Sequence, residues 1–180
     1  MHAIIETPRL ILRPLVRADL PELVRVLNNF NVSRWLARLP FPYTMMDAEN
    51  FLALCATPET GTLQLAITLG GAVIGVISYE RAPDAMSAEF GYWLAEDQWR
   101  KGYMREAASA MAAHAFTADG HDMLSAGYHA GNEGSRRILE GLGFERTGER
   151  LSGCLAEGVE KTSTRLTLPR GRWREMRGGT

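Results

Sequence analysis

The amino-acid sequence predicts an α+β fold of the three-layer α/β kind, with helices covering a mixed sheet. Three observations carry this. Apolar, β-branched runs at residues 63–69 and 72–80 meet at Gly70-Gly71, the pattern of a β-hairpin. Segments with helically spaced apolar residues are interposed between strand-like runs rather than collected at one end. The 180 residues are 46% apolar and 23% charged, enough for one well-filled core and unlike a disordered chain.

The elements follow in order. Residues 9–15 (RLILRPL) alternate at first as a half-buried strand does. Asp19, with Glu22 three residues on, reads as a capping box, and Leu20, Leu23, Val24 and Leu27 then form one helical face that Asn28, Asn29 and Asn31 end. After a loop containing Pro40 and Pro42, Thr44 caps a second helix with Ala48, Phe51, Leu52 and Cys55 on its inner stripe. The hairpin comes next, then a strand over 87–95. A helix over 103–117 carries Met104, Ala107, Ala108, Met111, Ala112 and Ala115 on one face, and Asp119-Gly120 stops it. A strand over 122–129, a short helix over 133–140, and strands near 144–150 and 160–168 complete a single domain, 1–168. A polar, arginine-rich tail, 169–180, is expected to be solvated.

Composition excludes several functions. A net charge of −1 gives no general attraction to nucleic acid. Cys55 and Cys154 are far apart and read as reduced thiols, and no His/Cys spacing suggests a metal. The first residues lack the basic segment and apolar core of a signal peptide, and no apolar run approaches the roughly 20 residues of a membrane span. The expectation is a cytoplasmic protein, monomeric or homodimeric.

The segment from Glu89 to Ala108 carries the chemistry. A strand runs through a loop containing Arg100, Lys101 and Gly102 into an alanine-rich helix. Such a loop aims backbone N–H groups and the positive end of a helix dipole at an anion. Gly102 permits close approach, and Arg100, Lys101 and Arg105 can add charge-assisted contacts to phosphates. A second segment, residues 132–144 (NEGSRRILEGLGF), sets Asn132 and Ser135 before a short helix that leaves through Gly143-Phe144. Residue chemistry alone also allows a plain helix cap at Asn132.

Together these segments resemble the two signatures of the GNAT superfamily of N-acetyltransferases. Trp99 with Gly102-Tyr103, and the opening TPRLILRP, resemble the branch of ribosomal-protein-alanine N-terminal acetyltransferases (Rim type). Arg100 and Met104 depart from the small residues usual at those positions. The resemblance implies a mixed central sheet of six to seven strands, splayed between the fourth and fifth and flanked by about four helices. It implies acetyl-CoA as donor, held by Trp93, Leu94, Arg100, Lys101, Gly102, Tyr103, Met104, Arg105 and Asn132. It implies direct transfer to a primary amine, a protein N-terminal α-amine above all, with a backbone N–H near Trp93 or Leu94 stabilising the oxyanion and Ser135 serving the leaving thiolate. Tyr92 and Tyr128 are further candidates for that role, and Glu89 and His129 are candidates for the base. Glu89 reads equally as a desolvated base or a strand-face ion pair, and Glu106 as a local partner of Arg100 or Arg105. Arg9 and Arg13 could line the acceptor site or pair on the strand face, and Trp35, Phe41 and Tyr43 could hold the acceptor or cover the core.

Three other readings stay open: an acetyltransferase of small amines or antibiotics, a non-catalytic acyl-CoA-binding module, which would need neither Ser135 nor a base, and a ribosome-binding protein that acts through its basic tail without catalysis. Ser135→Ala and Glu89→Gln are each expected to lower turnover by about tenfold or more with folding retained, as steady-state kinetics beside circular dichroism will show.

Overall fold

Alternation along the strands decides the architecture, because each strand offers one face to each of two helical layers. The computed structural model describes residues 3–56, 62–84 and 86–178. Its elements are β1 (Ile5–Glu6), β2 (Ile11–Arg13), α1 (Leu20–Leu27), α2 (Phe30–Ser33), α3 (Met45–Ala56), β3 (Thr62–Leu69), β4 (Ala72–Arg81), β5 (Ser87–Leu94), α4 (Tyr103–Thr117), β6 (Met123–His129), α5 (Glu133–Gly141), β7 (Glu145–Cys154), β8 (Val159–Pro169) and α6 (Arg170–Gly178). The strands form one sheet in the order β1-β2-β3-β4-β5-β6-β8-β7. All neighbours are antiparallel except β5 and β6.

One core lies between the sheet and α4–α5, built on Leu65, Ile77, Phe90, Leu124 and the small-residue face of α4. Met104, Ala107, Ala108, Met111, Ala112 and Ala115 are all buried, as their spacing predicts. The second core lies on the opposite face, where Leu20, Leu23, Val26 and Leu27 of α1 meet Ala66, Val76 and Trp93. At the predicted hairpin, Gly70 and Gly71 both take positive φ, 58° and 89°.

The parallel pair opens the molecule. Ser87 to Phe90 pair with Met123 to Ala126, and the pairing stops there although β5 runs on to Leu94 and β6 to His129. The strands therefore splay, as expected between the fourth and fifth strands of the predicted set. On the other side of β5, Ile74 is an extra residue in β4: Ile67 pairs with Gly75 while Thr68 pairs with Val73. A β-bulge of this kind twists its strand locally. A Cβ at Gly75 would strike the Trp93 carbonyl, so glycine lets β4 and β5 lie close beside the splay.

Several expectations need correction. Among the described residues there are eight strands rather than six to seven, because Ile5–Glu6 adds a short first strand that pairs back on β2. The described residues also form six α-helices rather than about four, the additions being α2 and α6. The capping box at Asp19 does not form. Its carboxylate, 6% exposed, instead accepts both ends of the Arg13 guanidinium at 2.8 Å and the Val16 N–H at 2.9 Å, while Glu22 pairs with Arg25. A side chain committed to a long guanidinium cannot also turn back onto its own helix. Thr44 does cap its helix by accepting the Asp47 N–H, and the Asp47 carboxylate takes the Thr44 N–H and hydroxyl in return.

The arginine-rich stretch after Leu168 is not a solvated tail. It forms α6, which lays Trp173 against Phe116 with ring centroids 5.1 Å apart. Arg170 donates to the Gly120 and His121 carbonyls and Arg172 to that of Gly143. A Cβ at Gly143 would collide with the Met176 sulfur, so the residue that ends α5 also seats α6. Trp173→Ala is expected to lower stability by about 2 kcal/mol, roughly half the loss for a fully buried tryptophan. Urea unfolding will measure it, and a solvated tail predicts no change.

Candidate active site

The splay creates a polar edge inside the protein. Ser87 accepts the Ala82 N–H from the β4 side and Met86 accepts the Asp122 N–H from the β6 side. Ala95, beyond β5, donates to Ile74 on the β4 side at 2.8 Å. Alternation between these fixed points turns the amides of Tyr92 and Leu94 into the gap and that of Trp93 toward β4. Of the two residues expected to offer a free N–H, Leu94 does so and Trp93 does not, and Tyr92 adds a second. The Leu94 carbonyl takes the indole N–H of Trp99 at 2.8 Å, which ties the following loop to the end of β5.

That loop leads into α4 through two residues of positive φ, Arg100 at 62° and Gly102 at 83°. A non-glycine residue in this region costs about 1 kcal/mol or more. Arg100 thus pays a backbone strain where small residues are usual. Among the described residues, no acceptor takes the N–H groups of residues 100–105, and the first α4 bond runs from Glu106 to Gly102. Free donors at a helix start are an anion site in waiting.

Residues far away in sequence hold the loop in place. Arg9 donates to the Lys101 carbonyl at 3.0 Å, pairs with Glu106 at 2.7 Å and lies 4.6 Å from the Tyr103 ring centroid. Thr7 donates to Glu106 at 2.6 Å. Glu106 therefore pairs with the N-terminal segment, not with Arg100 or Arg105. Arg9 belongs to this brace and Arg13 to Asp19, so neither lines an acceptor site. Burial pushes the Glu106 carboxyl upward, but the Thr7 hydroxyl and the Arg9 side chain and N–H outweigh it and hold it below the usual carboxylate range.

On the other wall, Asn132 caps α5 by accepting the Ser135 N–H at 3.1 Å. The Ser135 hydroxyl lies 2.9 Å from the Tyr92 hydroxyl, a contact that bridges α5 and β5 across the splay. Burial pushes the Tyr92 phenol well above its ordinary range, with the Ser135 contact partly offsetting it, so Tyr92 stays protonated. The proximity of Tyr92 to Ser135 had no signal in the sequence, since 43 residues separate them.

Strand parity sorts the other candidates. Phe90 and Leu94 face α4, Tyr92 packs beside them, and Trp93 faces α1. Glu89 and Gly91 share the Trp93 face. Glu89 and Ser135 thus lie on opposite sides of the sheet. Of its two readings, Glu89 shows the ion pair: its side chain is 41% exposed and takes Arg165 at 2.8 Å and Arg150 at 3.6 Å. Gly127 makes the first contact possible, because a Cβ there would lie 2.6 Å from the Arg165 guanidinium. A groove of about 960 Å³ joins the two sides and takes in Trp35, Glu89, Leu94, Gly102, His129 and Ser135. Trp35 lines it, whereas Tyr43 is buried in the α1 core. Among the described residues no group of acidic, histidine and cysteine side chains could hold a metal, and no helix is long and apolar enough to cross a membrane.

Comparison with known proteins places the fold in a family. Residues 9–145 match the family described as acetyltransferase (GNAT) domain. The uncharacterized N-acetyltransferase YoaA of Bacillus subtilis is 28% identical over 156 residues, 82% of this chain and 86% of its own. Two solved structures share the fold at lower identity. RimJ of Mycobacterium smegmatis, in complex with CoA-disulfide, superposes with a TM-score of 0.80 at 18% identity, over 99% of this chain and 94% of its own. RimL, a ribosomal L7/L12 α-N-protein acetyltransferase in complex with coenzyme A, does so at 0.79 and 17% identity, over 93% and 98%.

The brace on the loop gives a pH prediction. A carboxyl held below its ordinary value of 4.5 contributes stability that is complete above that pH and lost as pH falls through the lower folded value. Melting temperatures measured from pH 7 to pH 3 should therefore decline below about 4.5 more steeply in the wild type than in Glu106→Gln.

Proposed function

This chain belongs to the GNAT acetyltransferases, and from that premise we propose that it moves the acetyl group of acetyl-CoA onto the α-amine at the N-terminus of a protein. The donor's diphosphate sits on the N–H groups of residues 100–105, with Arg100, Lys101 and Arg105 supplying charge and Gly102 and the amides of Tyr103 and Met104 allowing close approach. The pantetheine arm enters the splay and pairs with the open edge of β5 at Tyr92 and Leu94, with Asn132 beside it. The thioester carbonyl then meets a backbone donor at Leu94, which stabilises the tetrahedral oxyanion.

One observation carries the reading: a gap with unpaired backbone donors has a hydroxyl pair on one face and a polar open groove on the other. An amine must approach a thioester carbonyl from one side while the thiolate leaves on the other. Ser135, hydrogen-bonded to Tyr92, serves the departing thiolate as a donor. The acceptor enters over the face that carries Glu89, Arg150 and Arg165.

The charge of that entrance supports a peptide over a polycation. Arg38, Arg150 and Arg165 line it against Glu80 and Glu89, and each glutamate is already paired with an arginine. A polyamine or aminoglycoside needs free carboxylates, and among the described residues both glutamates of this entrance are already paired. The likeness to RimL, described as a ribosomal L7/L12 α-N-protein acetyltransferase, supports the same acceptor class.

Isothermal titration should give micromolar binding of acetyl-CoA, abolished in Gly102→Asp, where a side chain meets both positive φ and the Arg9 guanidinium 3.3 Å from the new Cβ. Thiol release from acetyl-CoA should then be faster with unblocked peptides beginning in alanine or serine than with spermidine or kanamycin. Faster release with either polycation would overturn the acceptor assignment. Tyr92→Phe should lower kcat by about tenfold with little effect on the acetyl-CoA dissociation constant, since it removes a hydroxyl that acts on the leaving group.

A further inference from the structure

The direct transfer described above, on which this inference rests, needs a base for the amine, and His129 is the group the acceptor face offers. Leu124 and Ala126 of β6 face the α4 core and Tyr128 packs against it, so Ser125, Gly127 and His129 face the acceptor groove. The last paired residues of the parallel strands are Phe90 and Ala126. Three residues further along each strand, Trp93 and His129 stand level on either side of the gap. This is beside the Leu94 amide that receives the thioester oxygen. Glu89, by contrast, pairs with Ser125, where the two strands are still joined. It sits short of the opening, and one of its oxygens is shared by Arg165 and Arg150.

His129 is also built as a base rather than as a core residue. It is 4% exposed yet lines the groove, and its Nδ1 has no hydrogen-bond partner among the described residues. A buried ring nitrogen without a protein partner awaits a water or a ligand group. The surrounding charges are Lys161 of β8, Glu157 of the β7–β8 turn and Arg34 after α2. Both cations pair with the one carboxylate, Lys161 to Glu157 at 2.6 Å and Arg34 to Glu157 at 3.5 Å, so the cluster keeps a net positive charge that disfavours the imidazolium. Burial, then Lys161, push the imidazole below its ordinary value, with Glu157 partly offsetting them, so the ring is neutral at pH 7 and free to accept a proton.

We propose that His129 is the general base, its imidazole ring taking the proton from the attacking amine, directly or through one water. As the C–N bond forms, the nitrogen's proton passes to the imidazole. As the C–S bond breaks, the thiolate takes its proton through the Ser135–Tyr92 hydroxyl pair, which solvent replenishes. The imidazolium returns its proton to solvent, so CoA thiol and acetylated amine leave and no group on the enzyme is changed.

The test is kcat against pH, from pH 5 to 9, for wild type, His129→Gln and Glu89→Gln, using acetyl-CoA and an unblocked alanine peptide. The wild type should lose turnover on an acidic limb that lies below the ordinary imidazole value of about 6.5. His129→Gln should lower kcat by about a hundredfold or more and remove that acidic limb, leaving the dissociation constant for acetyl-CoA unchanged. Glu89→Gln should retain the limb. A limb that survives in His129→Gln, or vanishes only in Glu89→Gln, overturns the assignment. If His129→Gln does not fold, the ring's own titration in the wild type, followed by nuclear magnetic resonance, must coincide with the kinetic limb, and a clear mismatch overturns the inference. A wild type that turns over no peptide defeats the acceptor assignment itself, which is a different result from turnover with an unchanged limb.

Discussion

Everything at this site depends on the parting of β5 and β6. Buried backbone N–H and C=O groups must find partners, and a sheet normally supplies them. Here the pairing ends at Phe90 and Ala126 while both strands run on, so Tyr92 and Leu94 turn polar groups into a gap. That is costly unless something else completes the ladder. A bound chain of amides of its own is the natural completion, and an extended cofactor arm satisfies the same geometry as a missing strand. The Trp99 indole on the Leu94 carbonyl shows the protein settling one of these groups itself and leaving its neighbours open.

The same parting divides the chemistry between two faces. Parity along β5 sends Tyr92 toward α5, where it meets Ser135, and sends Glu89 toward the groove, where it meets Arg165. Parity along β6 places Tyr128 and His129 on opposite sides in the same way. A transfer reaction with an incoming amine and a departing thiolate needs two polar sites that do not neutralise each other. A sheet with its core on both sides gives that separation without any special loop.

Rigidity comes from polar contacts between segments distant in the chain. Arg9 and Thr7 fasten the start of α4 through Glu106, Arg13 holds the entry to α1 through Asp19, and α6 closes the lower end of β6 through Arg170. The brace at Glu106 matters most for function, because an anion site made of backbone donors works only when the donors are held in one arrangement. It also accounts for Arg100 at positive φ. A loop tied at Leu94 through Trp99 and at Lys101 through Arg9 has little freedom to relieve the strain between them.

Local signals determined much of this protein. The glycine pair at the hairpin, the small-residue face of α4, the Thr44 cap and the two signature segments are features of neighbouring residues, whose spacing alone fixes their structure. Loop, helix and strand around Gly102 were legible for that reason, whereas the backbone N–H near Trp93 or Leu94 and the role of Ser135 came from the family resemblance and not from spacing. Asp19 was misread because its partner, Arg13, wins over its own helix start. The residues after Leu168 were misread because a basic run looks solvated until Phe116 and the Gly120 and His121 carbonyls are brought beneath it. The contact between Tyr92 and Ser135, the burial of His129 and the commitment of Glu89 to two arginines are all pairings across the sheet. Tertiary structure alone decided them, because strand register and parity, not sequence spacing, set which side chains share a face.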